Sequence, residues 1–374
     1  MPNPSLAQPS PSAPQQQPQP LGPYTPPAPI PIAPSDLPPL SPLPPTTTIE
    51  VPPAPRGDGD IALVLPLESP DYARAAQAVR AGFLAAARAT GQSKRVKVVG
   101  HGDGNVLGGF EGARSLGARF VVGPLVRDDV RAVVQSESPL PATLALNQLD
   151  DATPLPPELY TLALAVESDA RVLARRMRAD NVQGVVILGS AAPLMKRFAG
   201  AFVAEWLLAG GARPTLLNFD ASPDGLGVLR RELARTTADA ALIAVDGAIA
   251  PLARSFVPRL PAYASSLVNQ DHDAAALRDL EGVVFVDVPW LVTPDAPALA
   301  KLPREPMGNR VLDRLYALGL DAFQVASAFA DGVPAHVSID GATGRLTLGE
   351  GRHIAREGRL AVFREGVVVP LDAR

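Results

Sequence analysis

What most limits the fold of this chain is a repeating exchange between two apolar patterns. Short, nearly continuous apolar runs alternate with longer segments whose apolar residues recur every three or four positions. "DIALVLPL" (60–67) is the first run, apolar as a strand buried on both faces must be. In "PDYARAAQAVRAGFLAAARATG", which follows, Tyr72, Ala76, Val79, Phe83 and Ala87 fall at helical spacing, with Pro70 near the start and Gly91 at the end. Strand "RVKVVG" (95–100), a helix over about 107–116, strand "RFVVGPL" (119–125), a helix over 127–136 and strand "ATLALN" (142–147) continue the series. A parallel sheet with helices on both faces is the architecture that satisfies this order.

A second series begins with a helix over 167–180 and strand "GVVILGS" (184–190). A helix closed by Gly210-Gly211, strand "RPTLLNF" (213–219), a further helix, strand "DAALIAVD" (239–246), helix "GAIAPLARSF" and strand "PAYASS" (261–266) follow. "GVVFVDVPWL" (282–291) reads as another strand. The segment 309–332 reads as a long helix capped by Asn309 and ended by Gly332. Beyond His336 the pattern turns to short strands, with a hairpin signal at Gly341 to Gly344. The expected fold is α/β and bilobal: two doubly wound parallel sheets joined by a multi-strand hinge. The first lobe covers about 58–163 and 292–334, the second about 164–291 and 335–374.

The first 57 residues differ. They hold 21 of the 42 prolines, many Gln, Ser and Thr, and almost no charge. Such a segment buries too little to offset its ordering entropy and is expected to be an extended, partly polyproline-II tether. Fully extended it would reach about 170 Å at about 3.1 Å per residue.

Composition excludes several functions. There are no cysteines, so disulfides, cysteine–zinc sites and thiol catalysis are out. The net charge is −4 with few aromatics, which is unsuited to a nucleic-acid surface. No apolar run reaches the length of a membrane helix, and no basic and apolar leader opens the chain as written. Ser190 lies in "LGSAAP", not in a nucleophile elbow. "DHD" (271–273) is too compact to converge on one ion, and "GHGDGN" (100–105) fits no phosphate-binding pattern. No metal, cofactor or catalytic residue is expected.

Ligands of doubly wound sheets bind at the carboxyl ends of the strands. Here those ends carry Leu67, Gly123-Pro124-Leu125, Asn147-Gln148, Gly189-Ser190, Asp246 and Ser265-Ser266. Asp128 and Asp129 suit the positive end of their helix, but Arg127 does not. It is expected to meet an anionic ligand in the cleft or a carboxylate on a partner. Trp290, where a strand leaves one lobe for the other, is expected to line the cleft or act at the hinge. Asp103 is a further cleft candidate. Asp321, in mid-helix, is expected to act as a cap or ion-pair partner. The cleft-lining set is therefore Pro124, Leu125, Arg127, Asn147, Gln148, Ser190, Asp246, Ser265, Ser266 and Trp290.

Segments "IALVLPL", "AVRAGFLAA", "VVGPLVRDDV", "PATLALNQ", "YTLALAVESDA", "AFVAEWLLAGG", "YASS", "GVVFVDVPWL", "RLYALGLDAFQVA" and "GATGRLTLGEGRHIAREGRLAVFREGVVVP" run in order from about Asp60 to Pro370. Together they resemble the penicillin-binding protein activator lipoproteins, in their C-terminal domain with a type I periplasmic-binding-protein fold. The resemblance implies a non-enzymatic protein on the periplasmic side of the outer membrane. It would bind a class A (bifunctional) penicillin-binding protein and stimulate peptidoglycan synthesis, chiefly cross-linking. The chain departs from the longer members by carrying the tether in place of a helical-repeat domain and by lacking a lipobox cysteine. The expectation is that a leader and its cysteine lie upstream, supplying a lipid anchor. The same fold serves solute-binding components of ABC importers, the alternative reading. A third reading joins the two, a ligand sensor that reports to the synthase. Ala145-Leu146-Asn147-Gln148 and Val126-Arg127 stand where importers present hydroxyls to an amino acid. A zwitterion would lose several charge-assisted hydrogen bonds there, each worth about 1.5–3 kcal/mol.

Overall fold

The computed structural model describes residues 59–149, 153–332, 336–348 and 350–371. The tether expected over 1–57 lies outside the described residues. The first series comprises β1 (Ile61–Leu65), α1 (Ala73–Ala89), β2 (Val96–Gly100), α2 (Val106–Ser115), β3 (Phe120–Val122), α3 (Arg127–Val134), β4 (Ala142–Ala145) and β5 (Leu159–Thr161). Its five strands form one parallel sheet in the order β2-β1-β3-β4-β5. All of β1 is buried because it pairs on both edges and is covered on both faces. Strand β3 ends at Val122, and the next residue, Gly123, has a φ of +118°; the Gly123–Pro124 peptide is cis. A Cβ at Gly123 would lie 2.0 Å from the Val64 carbonyl oxygen, so only glycine fits.

The second series comprises α4 (Val166–Ala179), β6 (Val185–Gly189), α5 (Pro193–Leu208), β7 (Thr215–Asn218), α6 (Pro223–Leu233), β8 (Ala240–Ala244), α7 (Ala250–Ser255), β9 (Ala262–Ala264), α8 (Ala274–Asp279) and β10 (Val284–Asp287). The chain then forms α9 (Pro289–Val292), α10 (Arg310–Ala330), β11 (Ser338–Asp340), β12 (Arg345–Leu348), β13 (Ile354–Glu357), β14 (Arg359–Arg364) and β15 (Val367–Pro370). The second sheet runs β15-β14-β10-β9-β8-β6-β7. Strands β10 to β7 are parallel, and β14 and β15 join antiparallel at one edge. Strands β11–β13 make a small antiparallel sheet, with the expected turn at Gly341–Gly344.

Each large sheet has a core on either face. In the first lobe, Leu63, Phe120 and Leu144 pack with Phe83 of α1 and Tyr316 and Phe323 of α10, while Val64 and Val121 face Phe110 of α2. Helix α10 thus returns to the first lobe after the second has formed. In the second lobe, Ile187 and Leu242 meet Leu173, Phe198 and Trp206, and Leu188 and Ile243 meet Leu229 and Ala253. Val337, Ala342, Leu346 and Ile354 join the first core, whereas Ala361 and Phe363 of β14 join the second. The chain passes between the cores after β5, after β10 and between β13 and β14; the third crossing lies beyond the return to the second lobe expected at 335, because Val337, Ala342, Leu346 and Ile354 pack on the first core.

Three expectations need correction. The run 282–291 is not one strand: β10 ends at Asp287, and Pro289 opens the short helix α9. The first sheet has a fifth strand, β5, too short at three residues for alternation to show. Trp290 does not line a cleft; it is 4% exposed in the first core, 5.8 Å from the Tyr316 ring and under the Arg304 guanidinium at 3.9 Å.

Candidate functional site

Between the lobes lies a cavity of about 480 Å³. One wall comes from the strand ends of the first sheet: Leu125, Val126 and Arg127 after β3, and Leu146, Asn147 and Gln148 after β4. The opposite wall is the start of α5, with Leu194 and Arg197; hinge residues 163–167 and Leu315 and Leu318 of α10 close the back. Leu125, Arg127, Asn147 and Gln148 are therefore brought together as the sequence suggests.

Loop geometry explains why they sit there. The Leu146 N–H donates to the Pro124 carbonyl at 2.8 Å, and Asn147 Nδ2 donates to the Leu125 carbonyl at 2.9 Å. Asn147 Oδ1 accepts from the Gln148 N–H at 2.9 Å. Both ends of the Asn147 amide are thus used, the nitrogen to join the two loops and the oxygen to hold its own. Buried Pro124 stands just behind them. At the rim, Arg197 Nε donates to Glu167 Oε1 at 2.9 Å, and Arg131 pairs with Asp128. Burial pushes the Asp129 carboxyl up from its usual range.

The other candidates lie elsewhere. Ser190 lines a separate cavity in the second lobe, between α5 and β7. Asp246 is exposed and accepts from the Ala248 N–H at 2.9 Å, holding the turn after β8. Ser265 is buried, its hydroxyl 4.0 Å from Met195 Sδ. Ser266 is buried too, and its carbonyl accepts from Arg314 Nη2 at 2.8 Å. Asp103 is exposed, outside the cavity lining. In "DHD", Asp273 caps α8 through the N–H groups of Ala275 and Ala276, and His272 contacts the Val268 carbonyl. Among the described residues no three His, Cys, Asp or Glu side chains converge as metal ligands would.

Adjoining this cavity, and sharing Leu164, Val166, Leu194 and Leu315 with it, is a second one lined by buried charges that the sequence does not reveal. Arg314 of α10 donates from Nε to Asp287 Oδ1 at 2.8 Å and from Nη2 to Asp287 Oδ2 at 2.7 Å. Its Nη2 also reaches the carbonyls of Ser266 and Asn269, and Asn269 Nδ2 donates to Asp287 Oδ2. Arg356 of β13 pairs with Asp169 of α4 and donates to the Thr343 carbonyl. Burial raises the Asp169 carboxyl to about 6, opposed by the Arg356 charge. Farther along α10, Asp321 accepts from the N–H groups of Ala342 and Thr343, both at 2.7 Å, and from the Thr343 hydroxyl at 2.6 Å. It too is raised to about 6 by burial. Asp321 is the expected cap, closing the β11–β12 turn.

The arrangement offers an amino-acid zwitterion few hydroxyls. The cavity wall is mostly leucine, alanine and valine, and Tyr72 carries its one hydroxyl among the described lining residues; of its charged groups, Arg197 is paired with Glu167 and Asp128 with Arg131. The buried charges beside it are two arginines already matched by two aspartates.

Comparison with known proteins gives the relationships. The family model described as "LppC putative lipoprotein" matches residues 57–224 and 238–366. The penicillin-binding protein activator LpoA of Mannheimia succiniciproducens is 28% identical over 324 residues, covering 83% of this chain and 55% of that protein. LpoA of Escherichia coli is 26% identical over 68% of this chain and 44% of its own length. The chain spans about half the length of the curated relatives it matches. The C-domain of LpoA from Haemophilus influenzae, described as a regulator of PBP1A, superposes with a TM-score of 0.68 at 25% identity, over 83% of this chain and 99% of that one. A structure from Chromobacterium violaceum, described as a putative branched-chain amino acid ABC transporter, gives a TM-score of 0.69 at 35% identity, over 81% of this chain and 99% of that one. The two-lobed fold is that of type I periplasmic-binding proteins, and the chain, matched by the family's model over most of its length, belongs to the LppC lipoprotein family.

Proposed function

We propose that the two-lobed domain activates a class A penicillin-binding protein by protein–protein contact, raising peptidoglycan synthesis and cross-linking without chemistry of its own. The observation that carries this reading is the match to essentially the whole of the Haemophilus influenzae LpoA C-domain, so that a complete domain is shared. The largely aliphatic cleft supports it, since Tyr72 carries the one hydroxyl among its described lining residues, the Asn147 amide is held by the Leu125 carbonyl and the Gln148 N–H, and Arg197 is paired with Glu167. The protein acts in the periplasm at the outer membrane, with residues 1–57 as the tether. Among the described residues no helix is long and apolar enough to cross a membrane.

Activation of this kind requires the domain to bind the active synthase more tightly than the resting one; each tenfold shift needs about 1.4 kcal/mol of difference. The test is a pull-down of the chain with a class A penicillin-binding protein of its own organism, followed by lipid II cross-linking with and without the chain. Binding with a higher cross-linked fraction is expected. Neither binding nor change would overturn the reading and favour a solute-binding component of an importer. That second reading draws on the 35% identity to the Chromobacterium violaceum protein. It predicts saturable stabilisation by a branched-chain amino acid in a thermal-shift screen.

A further inference from the structure

The second lobe contains a cavity that the cleft does not use. It is about 560 Å³, within the ~300–1,000 Å³ common for small-molecule sites, and lies between α5 and the edge strand β7. It exists because β7 is the last strand of its sheet. Leu217 of β7 points to the packed face, while Leu216 points the other way and is 66% exposed. Helix α5 sits over β6 and β8 and leaves the α5 side of β7 open. The floor is Ile187, Met195, Ala199, Val203 and Leu216, all apolar.

Three polar residues line this apolar trough: Ser190, and the exposed Lys196 and Asn218. The Ser190 hydroxyl is buried with no hydrogen-bond partner. Lys196 and Asn218 have no side-chain hydrogen bond or ion pair among the described residues. Buried polar atoms are ordinarily satisfied, so the orphan Ser190 hydroxyl marks a place for an acceptor, and the exposed Lys196 ammonium on the same trough favours an anionic one. Both the hydroxyl and the ammonium donate, and the amide supplies two more donors.

We propose that this trough binds a small apolar monocarboxylate, its hydrocarbon body against Ile187, Val203 and Leu216 and its carboxylate accepting from Lys196, Ser190 and Asn218. A carboxylate is favoured over a neutral head because only an anion matches the ammonium and accepts from every donor present. An amino acid is disfavoured, because no acid lines the trough to hold its ammonium. The proposal is independent of the activator reading.

The test is calorimetric titration of the full chain with octanoate, with 1-octanol as a probe of the same body without charge. Gly200 lines the trough, and a Cβ there meets nothing within 4 Å, so Gly200→Phe fills the space while helix propensity rises. Thermal melting checks that this variant folds, and Leu216→Gln on the exposed strand serves as a second blocking variant. Saturable one-to-one binding of octanoate is expected, at least tenfold weaker in Gly200→Phe and in Lys196→Gln, with 1-octanol weaker than octanoate. No saturable binding to the unaltered chain would overturn the site. So would equal affinity in Gly200→Phe and Leu216→Gln, since the probe would then be bound elsewhere. Loss in the blocking variants with no effect of Lys196→Gln would overturn the carboxylate.

Discussion

Arg314 on α10 grips Asp287 at the end of β10 through two parallel hydrogen bonds of 2.8 and 2.7 Å, and so ties the first core to the second sheet. The Arg314 and Asp287 side chains are 8% and 0% exposed. The same Nη2 also reaches the carbonyls of Ser266 and Asn269, both in the second lobe. The pair therefore helps to fix the relative placement of the two walls of the cleft.

Removing one partner leaves the other charge buried. Arg314→Met is expected to cost about 3–5 kcal/mol, and Asp287→Leu a similar amount, because desolvation is then uncompensated. The double variant should recover much of that loss, since replacing both members by apolar groups removes the stranded charge. Urea denaturation of the four proteins as a double-mutant cycle measures the coupling. Additive losses would show that the pair does not act as a unit.

Helices α1 and α10 touch through backbone at two glycines. A Cβ on Gly82 would lie 2.0 Å from the Tyr316 carbonyl oxygen, and one on Gly319 would lie 2.1 Å from that of Val79. Alanine is the better helix former by about 1 kcal/mol. Here Gly82→Ala and Gly319→Ala should nevertheless each destabilise by at least about 2 kcal/mol, because the helices must separate and their packing is lost. Thermal melts of both variants, with Gly200→Ala as the open-space control expected to stabilise, separate close approach from propensity.

Much of the first lobe is legible in the sequence because its signals are local. β1 is an unbroken apolar run, α1 has its stripe at Ala76, Val79 and Phe83, and Asn309 caps α10 by accepting from the Leu312 N–H. Long-range partnerships are not legible. The spacing that marks Leu315 and Tyr316 as apolar positions says nothing of Arg314 between turns, whose partner stands 27 residues earlier on another sheet. Gly82 and Gly319 read as ordinary helical positions, since nothing one-dimensional reveals a backbone crossing. The cleft was readable where it lies at strand ends, at Leu125 and Asn147. It was not readable where tertiary packing decides, as at Leu194, Leu315 and core-bound Trp290.

Two buried carboxyls set an acid-side pH dependence. Asp169 and Asp321 are each raised from 3.8 to about 6, chiefly by burial. Between those values the native state holds protons that the unfolded chain has released. Stability therefore falls as pH rises from about 4 to about 6 and is level above, by at most about 3 kcal/mol per group. Denaturation midpoints across pH 4 to 7 should show this decline, and Asp321→Asn should remove its share of the slope whatever it does to absolute stability. A slope unchanged in that variant would show that Asp321 is not among the titrating groups.

Asn147 separates a structural from a ligand-binding part for the β4 loop. Its amide is consumed in donating to the Leu125 carbonyl and accepting from the Gln148 N–H, both at 2.9 Å. Asn147→Ala breaks both bonds and should cost about 1–3 kcal/mol, at about 0.5–1.5 kcal/mol for each. Asn147→Asp keeps the acceptor for Gln148 but sets a carboxylate oxygen against the Leu125 carbonyl oxygen. It should be at least as damaging at pH 7 and recover as acid protonates the new side chain, which can then donate to that carbonyl. Urea denaturation at pH 7 and at pH 4.5 reads both variants. If neither changes stability, the amide is not what joins the two loops, and its conformation in the cleft would have to be explained by a bound molecule.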